Sequence, residues 1–413
     1  MVVHLEAPAQ PLAQPRYDVG GVLLDRPFRI RRLGHFGVNV DRMDEAKHFY
    51  CDLLGFMVSD ELNFGPRLSP EQRSLIGNNP TAGYFTRYGT DHHAFVLFPK
   101  TALQVMRPEE PKQITLNQIT WQVGSLAEVV NGSQFFEERG IRVRRSGRDT
   151  PGSNWHTYPY DPDGHINELY YGIEQIGWNG YSKPRAMYNR GFGERPPLPQ
   201  IAEFDEVQSA IADGIDLESG LRYIEDNPRT FEVDGILLAR PFKIVRIGPV
   251  RLFVEDVQRS KAFYQAIMGF MESSTIVYNG HECVFLRANT ENHSLGLYPL
   301  ALRKELGLSE HTTLMSFGVQ LANYRQLREA ATFLRDRGVT LRTLPAELSP
   351  GIDYSVLAID PEGHAVQLYY YMQQHGFGPP VSADNAQRIE DWPATVEARP
   401  DTFGGEPYLG PWG

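Results

Sequence analysis

The sequence predicts an α+β protein of four βαβββ modules, set in two tandem paired-module domains whose sheets curl around a cavity. Three observations predict it. The chain repeats internally: GVLLDRPFRIRRLGHFGVNV from Gly21 is matched by GILLARPFKIVRIGPVRLFV from Gly235, and AKHFYCDLLGF by SKAFYQAIMGF. Each half divides again into an alternating strand, an amphipathic helix ending at Gly, and several further strands. A DPxGH edge then closes each half, as DPDGHINELYYG at 161–172 and DPEGHAVQLYYY at 360–371.

The elements follow in order. Residues 1–27 form an N-terminal extension, and the first paired-module domain spans 28–172. Its first module opens on LGHFGVNV, a strand by period-2 alternation. DRMDEAKHFYCDLLG follows as a helix with Phe49, Tyr50 and Leu53 inward, and TRYGTDHHAFVLFP ends the module. The second module runs LNQITWQV, the helix SLAEVVNGSQFFEERG, then IRVRRSGRD, NWHTYPYD and HINELYY. Residues 173–230 are a linker rich in Gly, Pro and Arg, followed by helical spacing through IAEFDEVQSAIADGIDLESGLRYIED. The second domain, 231–372, repeats the scheme from VRLFVED through LGLYP and from MSFGVQL through VQLYYYM. The tail, 373–413, is again Pro- and Gly-rich and is expected to wrap the surface or a neighbouring subunit of a homo-oligomer.

Composition sets limits. At 413 residues there is material for two or three cores, and 41% hydrophobic with 11% aromatic residues fits a globular protein. A net charge of −11 without a basic tract argues against nucleic acid and against an anionic membrane surface. No apolar run reaches the roughly 20 residues of a membrane span, and MVVHLEAPAQPLAQPRYD has no signal-peptide core. Two cysteines, Cys51 and Cys283, make no disulfide framework, so a reducing cytoplasm is expected. No GxGxxG opening a helix, GxxxxGK[ST], GxSxG or CxxC supports nucleotide, serine-hydrolase or thiolate-metal chemistry.

Strand alternation sorts the polar residues. In LGHFGVNV, Phe36, Val38 and Val40 suit packing on the helix, which leaves His35, Gly37 and Asn39 on the other face. In LNQITWQV, Ile119, Trp121 and Val123 pack while Gln118, Thr120 and Gln122 face away. Glu168 shares a face with Ile166 and Tyr170. Sheets curling around a shared cavity would bring His35, Gln118 and Glu168 together. A metal relieves the penalty of a buried carboxylate, and imidazole with carboxylate suits iron, manganese, nickel or zinc. The second half is an internal control, because Pro249, Ser316 and Gln367 replace all three. In GTDHHAFVLFP, His93 matches His293 of NTENHSLGLYP and is read as structural; His92 matches Asn292, takes a different strand face and is a candidate acid–base group.

These residues resemble the vicinal oxygen chelate superfamily (glyoxalase, bleomycin resistance, extradiol dioxygenase), and within it the type I extradiol ring-cleaving dioxygenases. The resemblance covers about 28–172 and 242–372 and rests on the four modules, the strand His35 and DPDGHINEL. It implies a divalent metal, iron(II) first and manganese(II), zinc(II) or nickel(II) as alternatives, held by His35 and Glu168 with Gln118 where the family has its second His. It also implies His92 as the acid–base His and Tyr158, ten residues before Glu168, as the active-site Tyr. Asp149 falls on a substrate-contacting His of the family, and nearby His156 is a second substrate-binding candidate.

The leading expectation is a metal-dependent dioxygenase that opens the ring of a small catechol-like aromatic substrate with dioxygen. Gln118 favours a glyoxalase-like lyase or isomerase on the same fold, and a non-catalytic aromatic-ligand-binding protein is the third reading.

Overall fold

The computed structural model describes residues 16–148, 151–177, 179–187, 198–199, 202–375 and 389–395. Two eight-stranded mixed sheets with the same strand order carry the four βαβββ modules, as the sequence predicts. The first sheet runs Met57–Asn63, Ala82–Arg87, Phe95–Pro99, Arg32–Val40, Leu116–Gln122, Asn167–Tyr171, Trp155–Pro159 and Val143–Arg148. The second runs Met271–Tyr278, His281–Arg287, Leu295–Pro299, Ile244–Val254, Leu314–Leu321, Ala365–Tyr369, Ser355–Ile359 and Leu341–Arg342. In each, the first strands of the two modules pair antiparallel at the centre, so the modules of one half share a continuous sheet.

Helix starts follow side-chain capping. Ser125 opens the helix Leu126–Glu138 by accepting from the Glu128 backbone N–H, and Asn323 does the same from Gln326 for Tyr324–Asp336. The helix of each leading module passes into a π-helical turn, His48–Leu53 and Tyr264–Met268, which carries Tyr50 and Tyr264. The linker helix is shorter than its sequence spacing suggests. It spans Glu203–Ala212 and stops before Gly214, whose φ of +72° no L side chain adopts readily.

The halves exchange contacts with approximate twofold symmetry. Tyr264 donates to Asp161 Oδ2 at 2.9 Å, and Tyr50 to Asp360 Oδ2 at 3.0 Å. His165 Nε2 meets Thr313 Oγ1 and His364 Nε2 meets Thr115 Oγ1, each at 2.9 Å. The DPxGH edges are therefore clamps between halves. Phe36 and Phe317 meet at a tilt, ring centres 4.0 Å apart, inside an apolar core that crosses the boundary. The described part of the tail, 389–395, docks on the second half, where Trp392 is buried and Tyr324 donates to the Pro393 carbonyl at 2.6 Å. Among the described residues, no helix is long and apolar enough to cross a membrane.

Candidate metal centre and cavity of the first half

Strand register explains how the predicted residues meet. His35 pairs with Thr120, and Thr120 pairs with Glu168, so the three lie in one row across adjacent central strands. Gln118 is the next residue along the same face. Glu168 is wholly buried. Its Oε2 accepts from Thr120 Oγ1 at 2.7 Å and from Gln118 Nε2 at 3.3 Å, and lies 3.2 Å from His35 Nε2. Its Oε1 accepts from Asn154 Nδ2 at 2.8 Å. Thus the structure brings His35, Gln118 and Glu168 together.

These partners carry no guanidinium or ammonium. A carboxylate removed from water with only an imidazole, an amide and a hydroxyl at one oxygen is a seat for a cation. His35 Nδ1 is buried without a hydrogen-bond partner among the described residues. The donor set fits a divalent metal through His35 Nε2, Glu168 Oε2 and the Gln118 amide oxygen, after the amide is turned end for end. Among the described residues, no three or more His, Cys, Asp or Glu gather as a metal-holding group, so Gln118 would have to act as the third donor.

A cavity of about 440 Å³ reaches this centre at Gln118. Phe64, Phe85, Phe98 and Tyr158 give it aromatic walls, and Arg67, Arg107, Arg144 and Arg145 make it basic. Its size lies in the range of small-molecule sites.

The histidine pair differs from its expected arrangement. His92 and His93 lie in the connection between Ala82–Arg87 and Phe95–Pro99, not on opposite faces of a strand, and both are buried. His93 lines the cavity, with its ring 4.2 Å from that of His35. His92 stands behind it, Nδ1 to Nδ1 at 3.0 Å, with Nε2 3.7 Å from Asp60 Oδ2. Tight packing in a turn places both rings inward, which strand alternation could not foresee. Nearby Glu174 is buried, and burial raises its pKa although His92 pulls the other way.

Tyr158 lines the cavity beneath Arg145, whose guanidinium carbon is 4.9 Å from the ring centre. His156 is buried with its ring 4.5 Å from that of Tyr158, outside the cavity lining. Asp149 lies outside the described residues. Sequence reasoning missed Asn154, which comes from the turn before the Trp155–Pro159 strand and has no periodicity to announce it. It also missed the arginines, although Arg142, Arg144 and Arg145 crowd one short segment of an acidic chain.

The sequence matches the family described as Glyoxalase/Bleomycin resistance protein/Dioxygenase superfamily over residues 32–169 and 246–368. A catechol-2,3-dioxygenase of Bacillus subtilis (strain 168) is 21% identical over 270 residues, covering 64% of this chain and 73% of its own. The Mn(II)-bound glyoxalase from Novosphingobium aromaticivorans superposes with a TM-score of 0.51 at 16% identity, over 87% of this chain and 86% of that one. An extradiol ring-cleaving dioxygenase from B. fuscum gives 0.52 at 14% identity, over 86% of this chain and 76% of that one. At these identities the structural likenesses establish the fold.

Proposed function

The chain belongs to the glyoxalase/bleomycin resistance protein/dioxygenase superfamily, and within it we propose a metal-dependent extradiol-type dioxygenase that opens the ring of a catechol-like substrate with dioxygen. The observation that carries this reading is the convergence of His35, Gln118 and Thr120 on the buried Glu168 carboxylate, with Gln118 also lining an aromatic-walled cavity. His35, Glu168 and Gln118 hold the metal; iron(II) is the first choice, since imidazole and carboxylate serve iron oxygenases. When bound, the metal supplies Lewis acidity that lowers the pKa of a substrate hydroxyl and holds the reactants together.

The protein's own groups do the rest. Tyr158 presents its hydroxyl and ring to the substrate from the cavity wall. His93 offers an imidazole to the same space, and His92 supports it: one of the facing Nδ1 atoms carries the proton that the other accepts. A proton gained at His93 can pass to His92, whose far nitrogen faces Asp60. In this arrangement His92 acts on the reaction through His93. His156 holds the orientation of Tyr158 by ring contact.

Gln118 keeps the glyoxalase-like reading in view, because a neutral amide replaces a second imidazole. Oxygen uptake separates the two. Protein purified anaerobically and loaded with iron(II) or manganese(II) should consume oxygen with a catechol and yield a ring-opened product. Zinc or nickel activity on a carbonyl substrate without oxygen uptake would overturn the dioxygenase proposal in favour of a lyase or isomerase.

A further inference from the structure

The basic character of the cavity is not explained by metal binding. Four guanidiniums, of Arg67, Arg107, Arg144 and Arg145, line it, and among the described residues no Asp or Glu does. This reverses the sign of the molecule, whose net charge is −11. Arg107 and Arg144 are not solvated surface charges: their side chains are 25% and 18% exposed. Both share one carboxylate, Glu110, at 3.9 Å from Arg107 Nη1 and 3.9 Å from Arg144 Nε, longer than a charge-assisted hydrogen bond of roughly 2.8 Å. Burial, and after it the neighbouring Arg144, push the Arg107 guanidinium down to about 10. Crowding cations of one sign in a partly desolvated place is unfavourable unless an anion joins them.

We propose that the substrate is an aromatic ring bearing a carboxylate, with Arg107 and Arg144 receiving the carboxylate while the ring lies among Phe64, Phe85 and Tyr158. This rests on the cavity being the active site, as read above. A guanidinium presents a planar pair of N–H donors that matches a carboxylate edge to edge. The aromatic walls take the faces of the ring, and the 440 Å³ is room enough for a small aromatic molecule.

The test is equilibrium binding under anaerobic conditions of 3,4-dihydroxybenzoate and of its neutral amide, 3,4-dihydroxybenzamide, by titration calorimetry. Two protein forms are compared, wild type and the double variant Arg107→Met, Arg144→Met, with oxygen uptake followed in parallel. The wild type should bind the acid at least ~10-fold more tightly than the amide, a difference of about 1.4 kcal/mol. Raising the salt concentration should shrink that preference. The double variant should lose the preference while keeping its affinity for the amide. Equal affinity for acid and amide in the wild type, which requires no variant to fold, overturns the proposal. A preference that survives in a folded double variant overturns it as well. Arg-dependent preference for the acid without oxygen uptake would sustain the anion site and remove the dioxygenase reading. Oxygen uptake equal for acid and amide, and unchanged in the variant, would do the reverse.

Discussion

The two halves of the molecule share one framework and treat its central position in opposite ways. In the first half the central residue is a carboxylate, Glu168, surrounded by an imidazole, two amides and a hydroxyl. In the second half Gln367 replaces it and the buried charge is a cation, Arg251, which donates to Ser316, Gln367 and His293. His293 is the ring equivalent to His93; burial, and then the adjacent Arg251, hold it well below its ordinary value, so it accepts as a neutral imidazole. The space for that guanidinium comes from an exchange of glycines. Gly37 of the first half faces Val96, whose Cγ2 would lie 2.1 Å from a side chain added at 37. In the second half Arg251 stands at the position of Gly37 and faces Gly296, where an added Cβ would lie 3.1 Å from the Arg251 Cγ. The second half thus fills from within the place that, on the proposed function, the first half keeps for a cation from solution. On that proposal the carboxylate of one copy calls for a cation, whereas a resident guanidinium with hydroxyl, amide and imidazole partners does not call for a metal in the other.

The strongest way to break the contrast is to make the first half resemble the second at one atom. Glu168→Gln should lower metal affinity by about 100-fold or more, with turnover lost in proportion, measured by metal titration and oxygen uptake. The unfolding midpoint in urea should stay near wild type, because the amide retains the shape and most of the hydrogen bonds.

Emptying the second half is the next largest effect. Arg251→Gly removes a fully buried side chain and leaves His293, Ser316 and Gln367 without their donor. A loss of about 3 kcal/mol in urea unfolding is expected, with metal binding unaltered. Metal lost together with stability would mean that the halves are not functionally separate.

Gln118→His sharpens the first half. A second imidazole in place of the amide should tighten iron(II) binding by about tenfold, near 1.4 kcal/mol. Unchanged affinity would place residue 118 outside the coordination sphere.

The smallest effect is on pH stability, through the clamps between halves. Burial opposes the charged His165 ring, but the Asp161 carboxylate and its hydrogen bond outweigh it and raise the pKa above 6.5. That contribution is fully present below 6.5 and is lost as pH rises through the raised folded value. Burial likewise opposes the Asp161 carboxylate, yet His165 and the hydrogen bonds hold it below 3.8, so its contribution is present above 3.8 and lost as pH falls through the lowered value. The unfolding midpoint should therefore decline as pH rises above 6.5, and His165→Gln should flatten that decline.

Much of this was legible in the sequence because the repeat supplied its own control. Alternation placed His35, Gln118 and Glu168 on one face, and strand register then set them in contact. What escaped was carried by irregular backbone and by distance in the chain. The turn holding His92 and His93 defeats a two-residue period, so the cavity-facing ring proved to be His93. Asn154 reaches Glu168 from a turn. Arg251 stands two residues beyond Pro249, the counterpart of His35, so matching the ligand positions of the two halves does not point to the side chain that fills the site. The Asp and His of the DPxGH edges clamp the opposite half through Tyr264, Tyr50, Thr313 and Thr115, contacts between residues far apart in the chain.

The central claim, one cation site in the first half and none in the second, is tested most directly by metal content per chain on anaerobically purified, iron-reconstituted wild type and Glu168→Gln. About one metal ion per wild-type chain and close to none in the variant are expected. A wild type that takes up no metal, or a variant that retains its full complement, would contradict it.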